Sequence, residues 1–160
     1  MQKFILIFLF APLFTMGQQP IPMMNFTELE PRLYTNDGNT WVVNFWATWC
    51  APCVKEMPYF EKIGEDYADK GVKILLVSLD FVNHLEQRVI PFVKEHNLGS
   101  EVILLDNLQA NSWIMKVSEK WSGALPATLV FNNHHRSFYE QNFTFEQLEA
   151  IVKKALTETL

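Results

Sequence analysis

VNFWATWCAPCVKEMP, residues 43–58, holds both cysteines of a 160-residue chain, Cys50 and Cys53, with Ala51 and Pro52 between them. Two cysteines so spaced can form a structural disulfide, supply half of a metal site, or act as a redox pair that makes and breaks its own bond. Residues 41–46 form a compact apolar run that reads as a strand, and from Cys50 to about Ala68 the pattern is helical. The pair therefore lies where a buried strand hands over to a helix. The unpaired N–H groups and positive dipole end of a helix stabilise an anion there. A thiol at that spot has its pKa lowered, and the thiolate is the reactive form. Cys50, at the helix edge, is the expected nucleophile, and Cys53, one turn in, the more buried resolving thiol. Pro52 fits the first turn, where a missing N–H costs little. Pro58 lies deeper in the helix, and a kink is expected there.

The other uses of the pair have less behind them. A disulfide closing so small a loop would constrain the unfolded chain very little. A tetrahedral zinc site wants four ligands, and no second cysteine pair exists. Of the histidines, His134 and His135 fall at a hairpin tip and read as solvated turn residues. His84 and His96 flank a middle helix and read as surface residues. No metal ligand is assigned.

Composition narrows the class. The formal net charge is −5 and no basic run occurs, so nucleic-acid binding has no electrostatic footprint. Residues 1–17, MQKFILIFLFAPLFTMG, pair a basic start at Lys3 with an apolar run and small residues, the layout of a secretory signal peptide cleaved after Gly17. That run falls short of the ~20 residues a membrane-spanning helix needs; a retained N-terminal anchor is the alternative. Export implies an oxidising compartment where a disulfide persists. Residues 18–24 read as a short tail and 25–160 as one domain.

Along that domain, Thr27 with Glu30 predicts a capped helix over 26–34. Residues 72–79 read as a strand buried on both faces, 85–96 as a helix, 102–105 as a short strand and 107–117 as a further helix. Residues 127–131 and 137–141 flank Asn-Asn-His-His-Arg and read as a hairpin. Thr144 with Gln147 caps a last amphipathic helix to about Thr157. Strands alternating with helices predict an α/β fold, a central mixed sheet with helices on both faces.

The quoted stretch resembles the active-site strand and turn of thioredoxins, in which an aromatic-rich strand ends in W-C-x-P-C. Val54-Lys55-Glu56-Met57-Pro58 extends the likeness to the TlpA/ResA-like branch of exported thiol–disulfide oxidoreductases. Far along the chain, WSGALPATLV resembles the segment that carries the cis-proline of the thioredoxin-like fold, here Pro126. The resemblance implies that Pro126 lies beside the cysteine pair and that Leu125 offers backbone groups to an extended substrate segment. Trp49 would shape docking at the rim, while Phe45, Trp46, Trp113 and Trp121 are packing residues.

Two departures accompany the likeness. Thioredoxins carry a buried Asp six residues before the first cysteine; here Asn44 stands there and cannot titrate. The lysine that partners that acid is replaced by Leu76, and losing both together avoids an unpaired buried ion. Glu56, Asp80 and Glu86 are the candidate proton acceptors. The expected activity is reduction of disulfides in partner proteins, apocytochrome c among them, with electrons from a membrane thiol donor, no cofactor, and a monomeric chain. A disulfide-donating oxidant is the alternative within the same chemistry, since dithiol proteins span about −270 to −120 mV. A copper-handling module is the alternative from another class.

Overall fold

The computed structural model describes residues 20–106 and 110–158. The expected signal peptide, 1–17, lies outside the described residues, as do the first three residues of the helix expected over 107–117.

Among the described residues six strands form one mixed sheet in the order β1-β4-β3-β2-β5-β6. They are β1 (Met23–Asn25), β2 (Thr40–Trp46), β3 (Val72–Ser78), β4 (Glu101–Asp106), β5 (Ala127–Phe131) and β6 (Arg136–Tyr139). The β1–β4, β4–β3 and β3–β2 pairs are parallel, and β2–β5 and β5–β6 antiparallel. Among the described residues five α-helices accompany them: α1 (Phe26–Leu29), α2 (Ala51–Asp66), α3 (Ile90–Glu95), α4 (Ala110–Val117) and α5 (Phe145–Thr157).

Strand alternation divides the core in two. Val42 and Trp46 of β2 and Ile74 and Leu76 of β3 face α2, α3 and α5, packing on Met57, Phe60, Ile63, Val93, Leu148 and Val152. Val43, Phe45, Leu75 and Val77 face the other way, onto Phe26, Leu29, Trp113, Val117 and Trp121. Both faces of the central strands are buried, which is why β2 and β3 read as near-continuous apolar runs. Among the described residues no helix is long and apolar enough to cross a membrane.

Several boundaries differ from expectation for local reasons. Met23 and Met24, in the segment expected to be a tail, pair with Leu104 and Leu105 as an edge strand. The first helix starts at Phe26 as expected, but its cap is Asn25 and not Thr27: Asn25 and Glu28 form the capping box, with Asn25 Oδ1 accepting from Glu28 N at 3.1 Å and Glu28 Oε2 from Asn25 N at 2.8 Å. It tightens into a 3₁₀ turn over Glu30–Tyr34, where Pro31 lacks the N–H an α-helix would use. In the helix expected over 85–96, Pro91 likewise removes a donor, and the stretch divides into a π-turn at Leu85–Val89 and α3. α2 runs through Pro58 as one element and ends at Asp66. The Thr144–Gln147 capping box opens α5 as expected.

Candidate active site

β2 ends at Trp46, and four residues later Cys50 caps α2 in extended conformation, with φ −88° and ψ 94°. The turn is closed by the Cys50 N–H donating to Ala47 O at 3.1 Å, and the helix begins with Val54 N–H donating to Cys50 O at 3.0 Å. Cys50 and Cys53 are joined by a disulfide, S–S 2.04 Å. The expected asymmetry of burial is small: Cys53 is 0% exposed and Cys50 only 5%. Trp49 is 59% exposed at the rim and Pro52 is exposed beside it.

The sheet register brings the distant segment to the same end. Ala127, first residue of β5, pairs with Phe45 near the end of β2. Pro126 therefore flanks the point from which the cysteine turn departs; it is buried, and its bond to Leu125 is cis. Leu125 is half-buried and packs against both halves of the core. Trp113 and Trp121 are core residues, as expected: their rings lie 5.6 Å apart, and Trp121 lies 4.7 Å from Phe45.

The three candidate proton acceptors part company. Glu86 is exposed. Glu56 is buried one helical turn beyond Cys53, on the same face of α2. Its Oε2 accepts the Phe143 N–H at 2.7 Å and its Oε1 the Asn44 amide at 3.4 Å. Burial pushes its carboxyl up to about 7, against the downward pull of those two donors. Asn44 also donates to Thr128 Oγ1 at 3.1 Å, while its Oδ1 is buried without a partner among the described residues. Leu76 is the cross-strand neighbour of Asn44, so the position expected to have lost its lysine is apolar and adjacent. Asp80 is also buried, but its oxygens are taken up by Thr48 and Ser78.

Two features escaped sequence reasoning. Glu140, at the end of β6, accepts the N–H groups of Ser122 (3.0 Å) and Ala124 (2.9 Å) and the Ser122 hydroxyl, holding the loop that leads to Leu125. The Ser122 hydroxyl, then its N–H, keep that carboxyl below the usual range. His135 is buried rather than solvated: its Nδ1 lies 2.5 Å from Glu158 Oε2 and its Nε2 2.8 Å from Ser137 Oγ. The hairpin tip folds onto the end of α5, which no local pattern reveals. Among the described residues no group of three or more His, Cys, Asp or Glu is arranged to hold a metal ion.

The AhpC/TSA family model matches residues 11–136. The thiol–disulfide oxidoreductase ResA of Oceanobacillus iheyensis is 45% identical over 62 residues, covering 39% of this chain and 31% of its own. The ResA of Halalkalibacterium halodurans is 31% identical over 98 residues, 61% of this chain and 51% of its own. The chain thus spans between about a third and about half of the length of these curated relatives. A thioredoxin-related protein of Neisseria meningitidis serogroup B has a similar structure, with TM-score 0.64 and 25% identity over 77% of this chain and 89% of that one. The thioredoxin-like fold and the ResA-like resemblance are borne out.

Proposed function

Because this chain belongs to the AhpC/TSA family, we propose that its cysteine pair is the redox centre of an exported thiol–disulfide oxidoreductase that reduces disulfides of partner proteins. The observation that carries this reading is the Cys50–Cys53 disulfide at the N-terminus of α2, with a buried carboxyl of raised pKa one turn behind it. In the reduced form the Cys50 thiolate attacks one sulfur of a substrate disulfide and displaces the other as a thiolate. Cys53 then attacks Cys50 in the mixed disulfide, releases the second substrate thiol and leaves Cys50–Cys53 oxidised. Two electrons pass to the substrate, and a membrane-bound thiol donor restores the dithiol.

Cys53 must lose its proton to attack. Glu56 is the acceptor best supported: it is buried on the same helix face, and a pKa of about 7 lets it take and return a proton near neutrality. Exposed Glu86 and hydrogen-bonded Asp80 are less suited. Trp49 and Pro52 form the rim, and the backbone of Leu125 beside Pro126 receives an extended substrate segment. No cofactor is needed. The leader-like residues 1–17 support export, and the ResA likeness supports apocytochrome c among the substrates of a monomeric chain.

Replacing Cys53 by Ser tests this. The variant is expected to accumulate mixed disulfides through Cys50, with partners identifiable by mass; trapping none overturns the reading. A reduction potential near the oxidising end of the dithiol range would instead make the chain a disulfide donor.

A further inference from the structure

Asp80 is fully buried, and nothing in the exchange chemistry above uses it. It lies two residues beyond Ser78, the last residue of β3. Its Oδ2 accepts the Ser78 hydroxyl at 2.8 Å, and its own N–H donates back to Ser78 Oγ at 3.1 Å. The same Oδ2 accepts the Thr48 N–H at 2.9 Å, while Oδ1 accepts the Thr48 hydroxyl at 2.6 Å. That N–H belongs to the peptide group between Ala47 and Thr48. The carbonyl of the same group, Ala47 O, accepts the N–H of Cys50 at 3.1 Å. One peptide group therefore joins the Asp80 carboxylate to the backbone of Cys50.

This link has a mechanical and an electrical side. It pins the turn between β2 and α2 to the end of β3, which keeps Cys50 at the helix N-terminus. An acceptor on the N–H side of a peptide also polarises its carbonyl and strengthens the bond on the other side. An anion placed there opposes charge on the Cys50 sulfur, whereas the helix N-terminus favours it.

We propose that Asp80 is a positioning residue for Cys50 that acts through the peptide between Ala47 and Thr48, holding the turn and biasing the pair toward its disulfide, hence toward stronger reducing power. The proposal rests on the dithiol reading above.

The test equilibrates the full chain with glutathione: protein disulfide and two glutathione thiols give protein dithiol and one glutathione disulfide. Asp80→Asn removes the charge while its amide oxygen can still accept from Thr48. The constant for forming the dithiol is expected to rise about tenfold, which is about 30 mV less reducing. Thr48→Val loses only the hydroxyl contact and serves should Asp80→Asn not fold; a rise of about threefold is expected, because the tie is weakened rather than removed. Leu29→Ala opens a cavity in the core on the opposite face of the sheet and is the control: its unfolding midpoint falls with the constant unchanged. If the Asp80 and Thr48 variants behave like that control, Asp80 is merely structural and the proposal fails. If the unaltered chain does not exchange with glutathione at all, the dithiol reading falls, and this proposal with it.

Discussion

Glu56 accepts the backbone N–H of Phe143 at 2.7 Å, across 87 residues of chain, and so joins the active-site helix to the segment that leads into α5. The bond satisfies a buried donor and pulls the carboxyl's pKa down, yet burial outweighs it and raises the value from 4.5 to about 7. Between those values the folded state holds a proton that the unfolded state has lost. Stability from this group is therefore full below about pH 4.5 and is lost as pH rises through about 7. The ceiling on that loss is about 3 kcal/mol. Glu56→Gln cannot titrate. Urea midpoints of the oxidised protein at pH 5 and pH 8 should differ less in the variant, which should be the more stable of the two at pH 8. Parallel pH curves for both proteins would refute the assignment.

Restoring an acid at Asn44 gives the converse expectation. Asn44→Asp would place a second carboxyl within reach of Glu56, beside Leu76 rather than a lysine. Two neighbouring carboxyls in a buried site cannot both ionise cheaply, so one is forced to keep its proton. The variant should lose about 2–4 kcal/mol at pH 8 and much less at pH 5. Adding Leu76→Lys should recover part of the loss at pH 8, and the coupling between the two changes is read from a double-mutant cycle.

What was legible in the sequence was whatever depends on near neighbours. Cys50, Cys53 and the WSGALPATLV segment are local motifs, and the near-continuous apolar run from Val42 to Trp46 reports a buried strand. Glu56 could be named because it lies on the active-site helix just beyond Cys53, but its raised pKa could not, since that comes from its burial in the folded chain. Met23 and Met24 make too short an edge strand to show a period, and only their pairing with β4 defines them. At the first helix two capping patterns overlap, Asn25 with Glu28 and Thr27 with Glu30, and composition alone does not choose between them. The Glu158 partner of His135 and the Ser122 and Ala124 partners of Glu140 are brought near only by tertiary folding.

His135 illustrates how such contacts hold an edge. Its ring bridges Ser137 on β6 to Glu158 at the end of α5, and the imidazole, before any other cause, holds the Glu158 carboxyl below its usual range. Removing the ring by His135→Ala leaves Ser137 without this partner and frees the end of the helix. The melting temperature is expected to fall by about 5 °C. Amides in the last turn of α5 should exchange faster while those of β2 keep their protection. Uniform loss of protection would mean that His135 supports the whole fold instead.

Glu140 carries the last expectation, because its three hydrogen bonds converge on Ser122 and Ala124, just ahead of Leu125. Its carboxyl is held below 4.5, so the stabilisation it provides is present above the unfolded value and is lost as pH falls through the lower folded one. Amide exchange at Ser122 and Ala124 should therefore accelerate in acid. Glu140→Gln should reproduce this at neutral pH, by about tenfold, since an amide offers one acceptor oxygen where the carboxylate offered two. If Leu125 receives substrate, KM for a disulfide peptide should rise several-fold in Glu140→Gln. Equilibration with glutathione, which needs no strand-like contact at Leu125, should be unchanged. A shift in the glutathione constant with KM unaltered would place Glu140 in the chemistry of the cysteine pair and not in the docking of its partner.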